Sequence, residues 1–394
     1  MTKPLKLALC LAALAALVVN PARAAEPGSR VIVSTTLDHT LQIFDAGSHA
    51  QLQPPLLSKG TSPVRLWVDE FGGKSMLFSA NHGIEGSVGV FDLDGPLVTE
   101  YPASPFPARL GSVGIVAGEV GAERTPMVFV TNAWQALGGC GLPKGSVTGY
   151  NASLLATAGV MVETGTVETT GAIPYAVALD EQNGRAFTSS NCSDTIDLYN
   201  TNSGDLGGPK HAGTLTTGDG PDATLYDQDR DVLYTVNIEG SSMSVHDLSG
   251  PTAKTTTVPM PGARPIDATL ATGPSGAEWV LTSNGGNDTV GIVDRDIIDS
   301  CLSANATTCS HAVLAGVPTG VPGGAPEGVA YDAATSKIFV VNKGIMQPSL
   351  SVIELDDSGD ELRWRNAGNI PLNIAGAGTP ARSIIAFDVV VAPR

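Results

Sequence analysis

Short apolar runs that end in an asparagine recur along this chain and predict β-strands. The six runs read FSAN, FVTN, TSSN, YTVN, LTSN and FVVN. Each follows an earlier apolar run that begins at or near a proline, and each precedes a third run that ends in an acid or an amide. Asparagine and aspartate close turns through their own side chains, and proline is excluded from central strands. This punctuation therefore marks strand ends, with the asparagines at Asn81, Asn132, Asn191, Asn237, Asn284 and Asn342.

The spacing of these asparagines predicts a radial array of repeats. Successive asparagines are 46 to 59 residues apart, a length that accommodates four short strands and variable loops. The clearest repeat begins at Pro221, has its asparagine at Asn237 and closes at Asp247. Other copies begin at Pro63, Pro174, Pro265 and Pro326, and a degenerate copy runs from Pro107 to Asn151.

The two ends of the chain together supply one more repeat. The N-terminal segments RVIVSTT and HTLQIFD provide a second and a third strand without a first strand. The C-terminal segment ARSIIAFDVVV provides a first strand with nothing after it. Pairing the two ends removes the open sheet edge that an incomplete ring would expose. The sequence therefore predicts an all-β, seven-bladed β-propeller, closed by pairing of the C-terminal strand with the N-terminal blade.

The first 24 residues have the pattern of an export signal. Lys3 and Lys6 precede an apolar run over residues 7–19, which is followed by Ala22, Arg23 and Ala24. The run is shorter than a membrane span, and no second run of this kind follows. We expect a signal peptide over residues 1–24, a single propeller domain over residues 25–394, no membrane span, and a periplasmic or secreted protein.

Charge and cysteine content fit that expectation. The formal net charge of −17 makes nucleic acid an unsuitable partner. The cysteines outside the predicted signal are even in number, which in an oxidising compartment predicts two disulfides. Cys301 and Cys309 bracket a short polar loop and are expected to pair locally, which leaves Cys140 to pair with Cys192.

The chain resembles the YVTN-repeat β-propellers of exported bacterial and archaeal proteins. The resemblance rests on FVTN at residues 129–132, YTVN at 234–237 and FVVN at 339–342, and it covers nearly all of the predicted mature chain. It implies the propeller fold. The superfamily includes surface-layer proteins, lactonase-like enzymes and propeller subunits of periplasmic dehydrogenases, so the fold does not select a function.

Common catalytic and cofactor motifs are missing from the sequence. It contains no G-x-S-x-G, H-E-x-x-H, C-x-x-C-H or P-loop pattern. The tryptophan-bearing repeats of quinoprotein propellers are also missing, so no quinone cofactor is predicted. Whether the protein is an enzyme is therefore left open, with hydrolysis of a lactone or ester as the most concrete reaction.

Candidate site residues follow from the geometry of propellers of this kind. Their first strands line the central channel, and the starts of these strands share a face with the loops after the second strands. Residues just after each proline are then expected at the channel mouth, with arginines on one side and acids on the other. The candidates are Arg65, Arg109, Arg382, Tyr175, Asp222, Asp267 and Glu327, together with Trp134 from a neighbouring loop.

These candidates support two chemical hypotheses and one structural alternative. Arginine suits bidentate recognition of carboxylates and phosphates, so the set Arg65, Arg109 and Arg382 predicts a small anionic or zwitterionic ligand. Alternatively, arginines and acids at a channel rim form ion pairs that hold the blades together. Asp222, Asp267 and Glu327 offer oxygen ligands for Ca²⁺, as in calcium-dependent lactonase propellers.

The sequence thus favours a binding or scaffold module that meets its ligand or a periplasmic protein partner at the channel mouth. A calcium-dependent lactonase or esterase is the first alternative. A propeller subunit of a periplasmic redox complex is the second.

Overall fold

A computed structural model of the protein describes residues 28–36, 38–83, 85–133, 144–201, 208–343, 348–359, 361–372 and 386–392. These residues form seven antiparallel sheets of four strands each, one of them with an extra short strand. The innermost strands of successive sheets contact one another around a ring. The predicted all-β, seven-bladed β-propeller is therefore confirmed. The predicted signal peptide lies outside the described residues.

The first three blades are built from the N-terminal third of the chain. Blade one contains β1 (Arg30–Thr35), β2 (Thr40–Asp45) and β3 (Leu56–Leu57). Blade two contains β4 (Pro63–Phe71), β5 (Lys74–Asn81), β6 (Ser87–Asp92), β7 (Thr99–Glu100) and β8 (Phe106–Pro107). Blade three contains β9 (Ser112–Val120), β10 (Thr125–Asn132), β11 (Lys144–Asn151), the short helix α1 (Leu155–Ala158) and β12 (Val162–Ala172).

The other blades follow in chain order. Blade four contains β13 (Pro174–Asp180), β14 (Arg185–Ser190), β15 (Thr195–Asn200) and β16 (Lys210–Thr216). Blade five contains β17 (Pro221–Asp227), β18 (Val232–Asn237), β19 (Ser242–Asp247) and β20 (Lys254–Pro259). Blade six contains β21 (Pro265–Thr272), β22 (Glu278–Asn284), β23 (Thr289–Asp294), α2 (Arg295–Ser303) and β24 (Val313–Pro318). Blade seven contains β25 (Pro326–Asp332), β26 (Lys337–Asn342), β27 (Ser349–Asp356) and β28 (Arg363–Pro371), and β29 (Ala386–Ala392) returns to blade one.

The ring closes through the two ends of the chain, as predicted. Strand β29 pairs antiparallel with β1, and Val390 lies opposite Ile32. It thereby becomes the innermost strand of blade one, in the order β29-β1-β2-β3. Its contacts with β25 and β4 complete the ring of innermost strands.

Five of the six recurrent asparagines join the second strand of a blade to the third strand, whereas Asn191 donates to the carbonyl of Pro221 in the next blade. In blade five, Nδ2 of Asn237 donates to Oγ of Ser242 at 3.1 Å and to Oγ of Ser244 at 3.0 Å. In blade seven, Nδ2 of Asn342 donates to Oγ of Ser351 at 2.7 Å. Both asparagines are buried, so these bonds satisfy the side-chain N–H donors, which would otherwise be costly to remove from water. The repeat residue is thus a buried cross-strand tie as well as a strand terminator.

The apolar core is divided among the interfaces between blades. One cluster joins blades two and three through Phe78, Val90, Ile115 and Val128, all of them buried. Comparable clusters lie between the other neighbouring blades. Because stability comes from these interfaces, the centre of the ring need not be filled, and a channel is left along its axis.

Disulfide-bonded cysteines and helix α2 lie outside the β-sheets of the blades. The predicted Cys301–Cys309 disulfide is confirmed, with a Cα–Cα distance of 5.9 Å. Cys192 is also disulfide-bonded, whereas Cys140, its expected partner, lies outside the described residues. Helix α2 begins after Asp294, whose carboxylate accepts the backbone N–H of Ile297 at 2.9 Å. Across the described ranges, no helix combines the length and the apolar character needed to span a membrane.

Candidate functional site at the channel mouth

The third residue of each innermost strand lies near the channel mouth, which is the end of the channel where these strands begin. In blade two this residue is Arg65, and Nη1 of its guanidinium lies 3.2 Å from Oδ1 of Asp267 in blade six. The same Nη1 lies 3.7 Å from Oδ1 of Asp388 in blade one. Arg65 therefore extends across the channel bore. The matching residues of the other blades are small and leave room for it: Gly114, Ala176, Ala223 and Gly328.

Backbone donors hold the two partner carboxylates in place. Asp388 accepts the N–H of Leu66 at 2.7 Å and the N–H of Val389 at 2.9 Å. Asp267 accepts the N–H of Val329 at 3.1 Å. Two of these donors belong to the next blade around the ring, so each carboxylate also joins neighbouring blades. This arrangement agrees with the structural alternative from the sequence, in which arginines and acids at the rim form ion pairs that hold the blades together.

The second residue of the innermost strands contributes a further set of polar groups. Oε1 of Glu327 accepts a hydrogen bond from Nζ of Lys343 at 2.7 Å. Asp222 is only 7% exposed, yet its carboxylate receives no hydrogen bond from the residues that the structure describes. Tyr175 contributes a phenol within electrostatic range of Asp222 and Arg65. Asp222 is thus the exceptional group of the site, because buried carboxylates are normally hydrogen-bonded.

Burial dominates the electrostatics of this site. It raises the pKa of Asp222 to about 7, because the favourable field of Arg65 is offset by Glu327 and Asp267. Burial also raises the pKa of Asp388 despite the nearby guanidinium. For Arg65, burial alone would lower the pKa, but the surrounding carboxylates outweigh it and the pKa rises. Arg65 therefore stays charged, whereas Asp222 gains or loses a proton near neutral pH.

One of the predicted site residues lies away from the mouth. Nη2 of Arg109 donates to Oε1 of Glu163 on the outer strand at 3.0 Å, and its side chain is 55% exposed. The reason is register: β9 begins at Ser112, five residues after the proline used to align this repeat, so Gly114 takes the position expected for an arginine. Arg382 and Trp134 lie outside the described residues.

Two residues of the site were missed in the sequence. Lys343 directly follows the repeat asparagine Asn342, a position that could have identified it. Asp388 is the third residue of β29, but this strand begins at Ala386, later than the apolar segment had suggested. The relevant signal was the pattern FDVVV, in which one acid interrupts an apolar strand.

The acids at the mouth do not fit a calcium ion in this arrangement. Asp267 already faces a guanidinium, and Glu327 faces an ammonium group. Among the described residues, the group that brings three histidine, cysteine or carboxylate ligand atoms within 4.8 Å of one another is Cys301, Cys309 and His311, not the mouth acids. Calcium coordination requires six to eight oxygens converging on one point. Asp267 and Glu327 therefore act as partners of cationic side chains in this arrangement.

Comparison with known proteins shows the fold and no family. No protein-family model and no curated protein matches the chain. The periplasmic gluconolactonase of Pseudomonas aeruginosa matches with a TM-score of 0.66 at 13% identity, over 92% of this chain and 99% of that chain. A putative 6-phosphogluconolactonase of Bacteroides fragilis matches with a TM-score of 0.64 at 13% identity, over 93% and 98%.

A third match is the apo form of AztD from Citrobacter koseri, with a TM-score of 0.54 at 12% identity, over 93% of this chain and 98% of that chain. In all, 930 chains of solved structures match, so the fold is too widespread to select a function. The resemblance to YVTN repeats stays a prediction, because these matches support the architecture alone.

Proposed function

We propose that this protein is an exported β-propeller that binds a small polar molecule at its channel mouth. The export pattern of residues 1–24 and the Cys301–Cys309 disulfide support an oxidising location outside the cytoplasm. The carboxylate of Asp222, which accepts no hydrogen bond from the described residues, carries the binding proposal. A buried carboxylate without hydrogen bonds is destabilising, and a ligand that donates hydrogen bonds relieves that penalty.

The charges around Asp222 indicate which ligand groups suit the site. The sequence led us to expect an anionic or zwitterionic ligand, because several arginines were expected together. Of those arginines, Arg65 lies at the described mouth and already faces Asp267 and Asp388. Among the described residues, and with Asp222 ionised, the acids Asp222, Asp267, Glu327 and Asp388 outnumber the bases Arg65 and Lys343, so the local field disfavours added negative charge. Hydroxyl and amino groups are therefore the ligand groups that Asp222 and the phenol of Tyr175 would recognise.

Calorimetric titration with related sugars tests this proposal. We expect glucosamine or glucose to bind the purified mature protein more tightly than gluconate. Asp222→Asn should weaken that binding at least tenfold, since an amide loses the charge and half of the acceptor capacity. Asp229→Asn is the matched control, because Asp229 is an exposed residue in the turn at the other end of β17. Equal binding by both variants would reject the site.

Hydrolysis of a lactone is a second function that one observation favours. A carboxyl with a pKa of about 7 can act as a general base at neutral pH, and Arg65 lies near enough to stabilise an oxyanion. Asp222 would take a proton from water, the hydroxide would attack the lactone carbonyl, and the ring C–O bond would break with the proton returned to the alkoxide. The similar proteins compared above include a periplasmic gluconolactonase and a putative 6-phosphogluconolactonase.

A pH-stat assay with glucono-δ-lactone tests hydrolysis separately from binding. The rate above the buffer rate should rise with pH through about 7, as Asp222 loses its proton. It should be lost in Asp222→Asn and retained in Asp229→Asn. A wild-type rate equal to the buffer rate would eliminate the hydrolase and leave the binding proposal to its own titration.

A further inference from the structure

Beneath Arg65 the channel widens into a cavity of about 380 Å³. Its walls come from the middle of the innermost strands and are mostly aliphatic, with Leu66, Ile115, Val177, Leu225, Leu270 and Val329 among them. Trp67 also lines the cavity and remains 37% exposed. This volume is within the range of small-molecule sites. The hydroxyl groups of Thr224, Tyr226, Thr269 and Tyr331 add uncharged polar groups to the lining.

Charge in this cavity is confined to one end. In the described part of the chain, the charged residues that line it are Arg65, Asp267 and Asp388, all at the level of the mouth. Both ion pairs of Arg65 use Nη1. Its Nη2 and Nε groups have no hydrogen-bond acceptor among the described residues. The guanidinium of Arg65, whose side chain is 16% exposed, therefore has N–H donors without an acceptor among the described residues at the head of a largely apolar compartment.

We propose that this cavity binds an uncharged, largely apolar carbonyl compound, such as an ester, lactone or amide, whose carbonyl oxygen accepts a hydrogen bond from Arg65. The proposal concerns the space below Arg65 and does not depend on the polar ligand assigned to Asp222 above it.

Three properties of the proposed ligand, its apolar body, its hydrogen-bond acceptor and its lack of charge, each follow from a feature of the cavity. The apolar body follows from the aliphatic walls, because burying apolar surface is favourable in proportion to its area. The acceptor follows from the Arg65 N–H groups that have no partner among the described residues. The absence of charge follows from the neighbouring carboxylates: a carboxylate ligand would face Asp267 and Asp388, and an ammonium ligand would face Arg65.

The test uses calorimetric titration of the mature protein with δ-decalactone. Two matched probes are the cyclic ether of the same carbon skeleton, which lacks the carbonyl oxygen, and decanoate, which carries a charge. Ala176→Phe places a large ring in the cavity at the level of Arg65, and Arg65→Lys keeps the charge but removes the guanidinium fork. Ala304→Phe, on the exposed end of α2, is the control for adding a phenyl group.

We expect wild-type protein and Ala304→Phe to bind the lactone alike. Affinity should fall at least tenfold in Ala176→Phe and in Arg65→Lys, and the ether should bind wild-type protein roughly tenfold more weakly, as expected for loss of a hydrogen bond to a charged donor. Unfolding curves verify that each variant is folded. If Ala176→Phe does not fold, the result for Arg65→Lys decides the test. The proposal is overturned if wild-type protein does not bind the lactone, if Arg65→Lys binds it unchanged, or if the ether or decanoate binds as tightly.

Discussion

Replacing Asp222 by asparagine should stabilise this protein at alkaline pH while weakening ligand binding at least tenfold. Asp222 is buried without a hydrogen bond from the described residues, and its pKa is raised to about 7. In the unfolded chain the same carboxyl has its ordinary pKa of 3.8. Between these two values the folded state binds more protons than the unfolded state, so the Asp222 contribution to stability falls as pH rises.

The magnitude follows from the separation of the two pKa values. Ionisation of Asp222 should lower the free energy of unfolding by roughly 2–3 kcal/mol between pH 5 and pH 8, at about 1.4 kcal/mol per pKa unit. Asparagine does not titrate, so the variant avoids this loss. The stability difference between Asp222→Asn and wild type should therefore become more favourable to the variant by that amount at the higher pH.

Equilibrium urea unfolding at pH 5 and pH 8, followed by circular dichroism, measures the difference directly. Asp229→Asn is the control, because an exposed carboxyl in a turn should give the same stability difference at both pH values. A variant that loses stability relative to wild type at pH 8 would refute the reasoning. It would mean that the Asp222 carboxylate is held by favourable interactions, and the argument for a ligand at that position would fail with it.

Three other measurements test the fold and the mouth. Arg65→Met should reduce the free energy of unfolding by roughly 2–4 kcal/mol, because Asp267 and Asp388 are left buried and unpaired; unchanged stability would show that the ion pairs are dispensable. Asn342→Ala should cost roughly 1–3 kcal/mol in urea unfolding through the lost bonds to Ser349 and Ser351, and Asn287→Ala, at an exposed turn, should cost far less. Treatment with EDTA should leave the unfolding temperature unchanged, since the mouth acids face Arg65 and Lys343; a fall that calcium reverses would restore the calcium hypothesis.

Short-range patterns in the sequence were sufficient to predict the strands of the blades. Apolar runs and the turn residues that end them are local features of the sequence, so the strands ending at Asn81, Asn237 and Asn342 could be identified from the sequence alone. Closure of the ring was also predictable, because the two ends of the chain lacked complementary parts of one blade. The Cys301–Cys309 disulfide was predictable for a similar reason, since its partners are only eight residues apart.

Tertiary structure alone decided how the mouth is arranged. Arg65, Asp267 and Asp388 belong to three different blades and are far apart in sequence, so their meeting depends on ring closure and on the register of each innermost strand. A register that differs from the proline pattern placed Gly114 where an arginine was expected and sent Arg109 towards Glu163. The raised pKa of Asp222 is likewise a product of burial by neighbouring blades. The sequence supplies the charged residues. The distances between them and their removal from water, which together determine their pKa values, exist only in the closed ring.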